Sequence, residues 1–231
     1  MRKGTAMSRP AEQDGPTGED LEPGWFTDAD APAVRAFADR VTAGRTGPRE
    51  QASALFDAVR DEIWYDPFCV VTDPHAYRAS RVAELSGNWC VPKAVLLTAA
   101  ARAVGIPARL GFADVRNHLN TARLRERMGG VDLFVWHGYT ALWLDGRWRK
   151  ATPAFNAELC ARFGVAPITF DGGDDALMHE YDGAGARYMS YENDRGTFHD
   201  LPFDDMLATF REHYGEAMFD TATTGRDAFT R

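Results

Sequence analysis

The sequence predicts an α+β fold in which N-terminal helices, the last of them buried, pack on an antiparallel β-sheet. Three observations predict it. Apolar residues recur at helical spacing before Gly105 and at strand spacing after it. From Val91 to Val104 the chain is Ala, Val and Leu with few polar breaks, too apolar for a surface helix. Helices come first and a meander of strands follows, rather than the alternation of βαβ units. With 231 residues, a hydrophobic fraction of 45% and an aromatic fraction of 12%, the chain can bury a core for one domain.

Residues 1–24 are rich in Gly, Pro, Asp and Glu and read as a disordered tail. The domain is expected over 25–219, with a polar C-terminal tail over 220–231. Thr27 or Asp28 is placed to cap a helix with Val34, Phe37, Ala38 and Val41 on one face. Pro48 opens a second helix, with Ala52, Leu55, Phe56, Val59 and Ile63 inward, and Asp66-Pro67 breaks it. Asp73-Pro74 starts a short helix through Tyr77, Val82 and Leu85. Gly87-Asn88 is a turn, Pro92 suits the first turn of the buried helix, and Gly105 with Pro107 stops it. Strands follow at Ala108 to Phe112, within Val131 to Leu144, and into Trp148 through the tight Asp145-Gly146 turn. Asn156 to Phe163 reads as a helix, Ala186 to Tyr191 as a strand, and Phe203 to Tyr214 as a closing helix.

A net charge of -8 argues against non-specific binding to nucleic acid or an anionic membrane, whose phosphates repel such a surface. Three cysteines at irregular spacing give neither a disulfide framework nor a metal pattern, so a reducing compartment and a cytoplasmic location are expected. No pair among Cys90, His137, His118 and His179 has metal-ligand spacing, and no metal or cofactor is expected. The Asp- and Gly-rich residues Asp171 to Arg187 lack the alternation of a calcium loop and read as a solvated loop. Arg116, Arg123, Arg125 and Arg127 fall between strands. They fit either a lid facing an anionic group or a solvated helix face, and charge runs favour the latter.

Two positions carry chemistry. Cys90 begins the buried helix, where free N–H groups and the helix dipole favour a thiolate. His137 lies inside a strand, on the period-2 face of Val135, Tyr139, Ala141 and Trp143. If that face packs on the Cys90 helix, the imidazole can take the thiol proton and return it to a leaving group. Gly138 leaves room for a substrate backbone.

Together, Gly87-x-Trp89-Cys90 with its apolar helix, Arg102-Ala103-x-Gly105-Ile106-Pro107-Ala108-Arg109, and the strand histidine before Leu144-Asp145-Gly146-Arg147-Trp148 resemble the transglutaminase-like superfamily. That superfamily shares the papain-type cysteine-protease arrangement. The resemblance covers about Tyr77 to Asn156. It implies acyl transfer or amide hydrolysis through a thioester on Cys90, with His137 as general base and acid and a peptide, protein or small amide as substrate. The family's third residue, an aspartate, falls at Thr152, which brings no charge. Asn156 is the alternative partner for the imidazole, as in Cys-His-Asn proteases. The oxyanion donors expected are the Cys90 N–H and a group from Trp89 or Asn88. Trp89 and Trp136 are equally suited to the walls of a cleft. The reading from another class is a non-catalytic member that binds a peptide or small ligand in that cleft.

Overall fold

Prolines start the first two helices. Pro32 and Pro48 open α1 (Pro32–Thr42) and α2 (Pro48–Glu62), where the missing N–H costs nothing. The expected cap at Thr27 or Asp28 is not used. Ala31 precedes α1 without a side-chain cap, while Asp28 accepts the Ser80 N–H and pairs with Arg78. The computed structural model describes residues 15–117, 121–177 and 189–219. The packed chain begins earlier than its composition suggests. A 3-10 turn at Gly18–Leu21 buries Asp20 in a two-bond pair with Arg109, at 2.8 and 2.9 Å, inside the segment expected to be a loose tail.

After α2 come the short strand β1 (Trp64–Tyr65), a 3-10 turn Pro74–Tyr77 capped by Asp73, helix α3 (Ala79–Val82) and strand β2 (Gly87–Asn88). The single helix expected across Tyr77 and Leu85 is thus split in two. β1 and β2 pair in parallel, which fixes the start of α4 (Cys90–Ala103) against the end of α2. Every residue of α4 from Cys90 to Arg102 is buried. Its polar members survive there by bonding backbone groups and two hydroxyls, those of Thr140 and Thr27. Lys93 Nζ donates to the carbonyls of Arg60 and Ile63 at the end of α2. Thr98 meets Thr140 at 3.1 Å. Arg102 donates to the carbonyls of Ala108, Glu22 and His199. Gly105, at φ 82, ends the helix, and the Ile106 N–H closes back on the Ala101 carbonyl.

The sheet takes β3 (Ala108–Asn117), β4 (Leu133–Leu144), β5 (Arg147–Ala151) and β6 (Met189–Phe198) in the order β5-β4-β3-β6, with every pairing antiparallel. Asp145 and Gly146 both have positive φ, 50 and 80, as the tight hairpin turn requires. Helix α5 (Ala122–Arg127) lies between β3 and β4, α6 (Ala157–Phe163) follows β5, and α7 (Phe203–Tyr214) closes the domain over β4. The α+β architecture, with the buried helix on an antiparallel sheet, is the one the sequence predicts.

One expectation about the sheet is overturned. On β4 it is Gly138 and Thr140 that touch α4, not Tyr139. Thr140 Oγ1 donates to the Ala94 carbonyl, and a Cβ on Gly138 would lie 3.0 Å from Val91 Cα and 3.3 Å from Ala94 Cβ. Tyr139 lies on the other face, its ring over Gly111 and its hydroxyl on Asp194. Alternation located the strand, but it does not say which face meets the helix.

Candidate active site

Cys90 is the first residue of α4, so its own N–H and that of Val91 have no partner within the helix. Both N–H groups favour a negative sulfur, and so does the Gly138 N–H arriving from β4. Glycine eases that approach, because a Cβ at 138 would crowd the Cys90 carbonyl oxygen at 3.3 Å and the Val91 Cα at 3.0 Å. His137 is the preceding residue, and it lines one cavity with Cys90 and Trp89. Helix start and strand histidine therefore line the same cavity.

Burial sets the resting charges. Cys90 is 5% exposed and His137 4%. Desolvation outweighs the N–H groups and pushes the Cys90 thiol up to about 11, and it pushes the His137 imidazole down to about 4. The expectation of a lowered thiol pKa fails for this closed state: the pair rests as neutral thiol and neutral imidazole. Cys69, whose thiol donates to the Asp66 carbonyl, is higher still, at about 12.

The cavity is small. It holds about 20 Å³, room for about one water. Leu124 of α5, Phe134 of β4, Phe210 and Tyr214 of α7 and the following Met218 cover it. The Tyr214 hydroxyl accepts the Val135 N–H at 2.6 Å and donates to the Leu133 carbonyl at 3.0 Å. Arg127 ties α5 to the same cover by donating to the Met218 and Phe68 carbonyls. The arginine-bearing segment is thus partly a cover and not only a solvated face. Arg116 instead pairs with Asp132, and Arg123 stacks on Phe68.

The remaining expected residues divide. Trp89 lines the cavity, packed edge-on against Tyr77 and tilted against Phe210. Asn88 lies behind it, its side-chain oxygen accepting the Trp89 N–H and the Cys69 thiol. Trp136 is not a cavity wall. It packs on Phe112, Phe198 and Arg195. Neither Thr152 nor Asn156 bonds the histidine: the Asn156 oxygen accepts the Tyr65 N–H at 3.3 Å. The Thr152 hydroxyl and His137 Nε2 are both buried without a hydrogen-bond partner among the described residues. Among the described residues His137 Nε2 therefore lacks the side-chain partner that the resemblance leads one to seek. His118 and His179 lie outside the described residues. Among the described residues no group of three or more His, Cys, Asp or Glu could hold a metal ion. None of the described helices is long and apolar enough to cross a membrane.

A cysteine at the tip of a buried helix and a histidine on an antiparallel sheet line one cavity. The model of the transglutaminase-like superfamily matches residues 35–153, just over half of the sequence, and the chain belongs to that superfamily. No curated protein matches it. Among solved structures it is similar to a candidate cysteine protease from Cytophaga hutchinsonii, at 18% identity and a TM-score of 0.45, over 76% of this chain and 53% of that one. It is also similar to the periplasmic domain of TgpA from Pseudomonas aeruginosa, at 21% identity and a TM-score of 0.41, over 58% of this chain and 45% of that one. The chain spans about half the length of these two structures.

Proposed function

We propose that the protein is a cysteine-dependent enzyme of acyl transfer or amide hydrolysis, acting through a thioester on Cys90. The observation that carries this reading is the shared cavity of Cys90 and His137 at the start of a buried helix. In the reaction His137 takes the thiol proton as sulfur attacks the substrate carbonyl carbon. The Cys90 N–H supports the negative oxygen. The tetrahedral adduct collapses to the thioester, and the leaving amine departs with the proton from His137. Water or an amine then attacks the thioester, gives its proton back through His137 and frees the thiol. Water as acceptor makes the enzyme a peptidase or amidase, and an amine makes it a transglutaminase.

The substrate on this reading is a peptide, protein or small amide, and entry requires the cover over Cys90 to move. Opening also hydrates the site and lowers the cost of charging sulfur and imidazole. A cytoplasmic location remains part of the proposal, on the strength of the unpaired cysteines. The test is turnover of p-nitrophenyl acetate with and without a primary amine. The native protein releases nitrophenolate, Cys90→Ala does not, and an amide product appears with the amine if the acceptor is not water. Equal turnover by Cys90→Ala would defeat the assignment.

Two observations favour the second reading, a non-catalytic binder: Thr152 lacks the charge of the expected aspartate, and side chains fill the cleft. Saturable binding of a peptide library member by both the native protein and Cys90→Ala, with no acylation of either, would select it.

A further inference from the structure

The strand that carries His137 is broken one residue before it. Ala113 stands opposite His137, but Val115 stands opposite Phe134, so Val135 and Trp136 together face the single residue Asp114. This is a β-bulge. Trp136 lies in it at φ 59, a left-handed conformation that a residue with a side chain adopts only when its surroundings impose it. The ladder cannot serve both N–H groups of the bulge, and side chains from outside serve them instead. Val135 donates to the Tyr214 hydroxyl, and Trp136 donates to Asp114 Oδ1 at 3.1 Å. Asp114 is only 6% exposed and is itself held on both oxygens, by Arg195 Nε at 2.6 Å and Asn193 Nδ2 at 3.2 Å. Arg195 also stacks over the Trp136 ring at 4.8 Å.

We infer that Asp114 is a positioning residue for His137: it holds Trp136 in the bulge and thereby fixes the backbone from which the imidazole reaches the Cys90 cavity. The inference rests on the proposed thiol–imidazole chemistry. It also answers a question that chemistry raises. His137 Nε2 has no side-chain partner among the described residues, so backbone and packing must set the ring's direction. Asp114 does this through the peptide and never touches the reacting atoms.

A double-mutant cycle tests it. The readout is the rate of Cys90 acylation by p-nitrophenyl acetate, followed by peptide mass in the native protein, Asp114→Ala, His137→Ala and the double variant. Asp114→Ala is expected to slow acylation roughly tenfold, less than the roughly hundredfold that a full ångström of misplacement costs. In the His137→Ala background the same change is expected to cost less than about twofold, because there is no imidazole left to misplace. Asp114→Asn keeps an acceptor for the Trp136 N–H and is expected to retain most of the native rate, which keeps the test open if Asp114→Ala fails to fold. Equal slowing in both backgrounds, or an Asp114→Asn variant as slow as Asp114→Ala, would overturn the inference. A His137→Ala rate equal to the native one would instead overturn the thiol–imidazole reading on which it rests.

Discussion

Gly138 is the residue on which the site's geometry turns. Its missing side chain lets β4 touch the first turn of α4, and its N–H favours a negative sulfur. Gly138→Ala forces a methyl against helix backbone and is expected to cost about 1–3 kcal/mol by overpacking. Cys90 acylation should fall while alkylation of Cys69 and Cys160 in the denatured chain stays equal. A variant of native stability and native rate would refute this account of the contact. His137 makes a second prediction. Its folded pKa of about 4 lies below the ordinary 6.5, so between those values the unfolded chain binds a proton that the folded one does not. The contribution is therefore present above about pH 6.5 and is lost as pH falls toward 4, by an amount on the order of 3 kcal/mol. Urea unfolding of the native protein and His137→Gln across that window should show the native protein losing more stability on acidification. Parallel curves would contradict it. Cys90 and His137 were legible because a helix start and a strand histidine are local patterns. Lys93 and Arg102 were not, since their carbonyl partners lie on distant segments. Nor was Asp114, whose partners on β4 and β6 are set by register.

At the scale of elements, a cover closes over the thiol. Tyr214 pins it through two hydrogen bonds to β4, each worth about 0.5–1.5 kcal/mol. Tyr214→Phe removes both and leaves the Val135 N–H without its partner. Cys90 should then become several-fold more accessible to iodoacetamide, and the melting temperature should drop by a few degrees. Unchanged labelling would show that α7 does not control access. The sequence marked α7 by its apolar spacing, Phe203 to Tyr214, but nothing local says that its last residue latches a bulge. Likewise β4 was visible as a strand while its helix-facing side was not. Alternation gives two faces, and only the contact of Gly138 with α4 distinguishes them.

At the scale of the molecule, the N-terminal segment is tied to the sheet by a buried ion pair. Asp20 and Arg109 are bonded twice, with Arg109 4.2 Å over the Trp148 ring, and Arg109 Nη1 has no partner among the described residues. Breaking such a pair strands a buried charge. Asp20→Asn is expected to cost about 3–5 kcal/mol, and the paired replacement Asp20→Asn with Arg109→Met much less. Chemical unfolding of both variants measures this, and equal losses would contradict it. Composition hid this tie, because one acidic residue in a Gly- and Pro-rich stretch carries no sign of its distant partner. The α+β architecture was legible because period and order are properties of the chain itself.

The claim beneath the whole account is that Cys90 and His137 pass a proton between them. The most direct measurement is the intact mass of the protein quenched within its first turnover of p-nitrophenyl acetate. The account predicts one added acetyl group, mapped to Cys90, formed far more slowly in His137→Ala. Acetylation elsewhere, or at Cys90 with the same rate in both proteins, would contradict it.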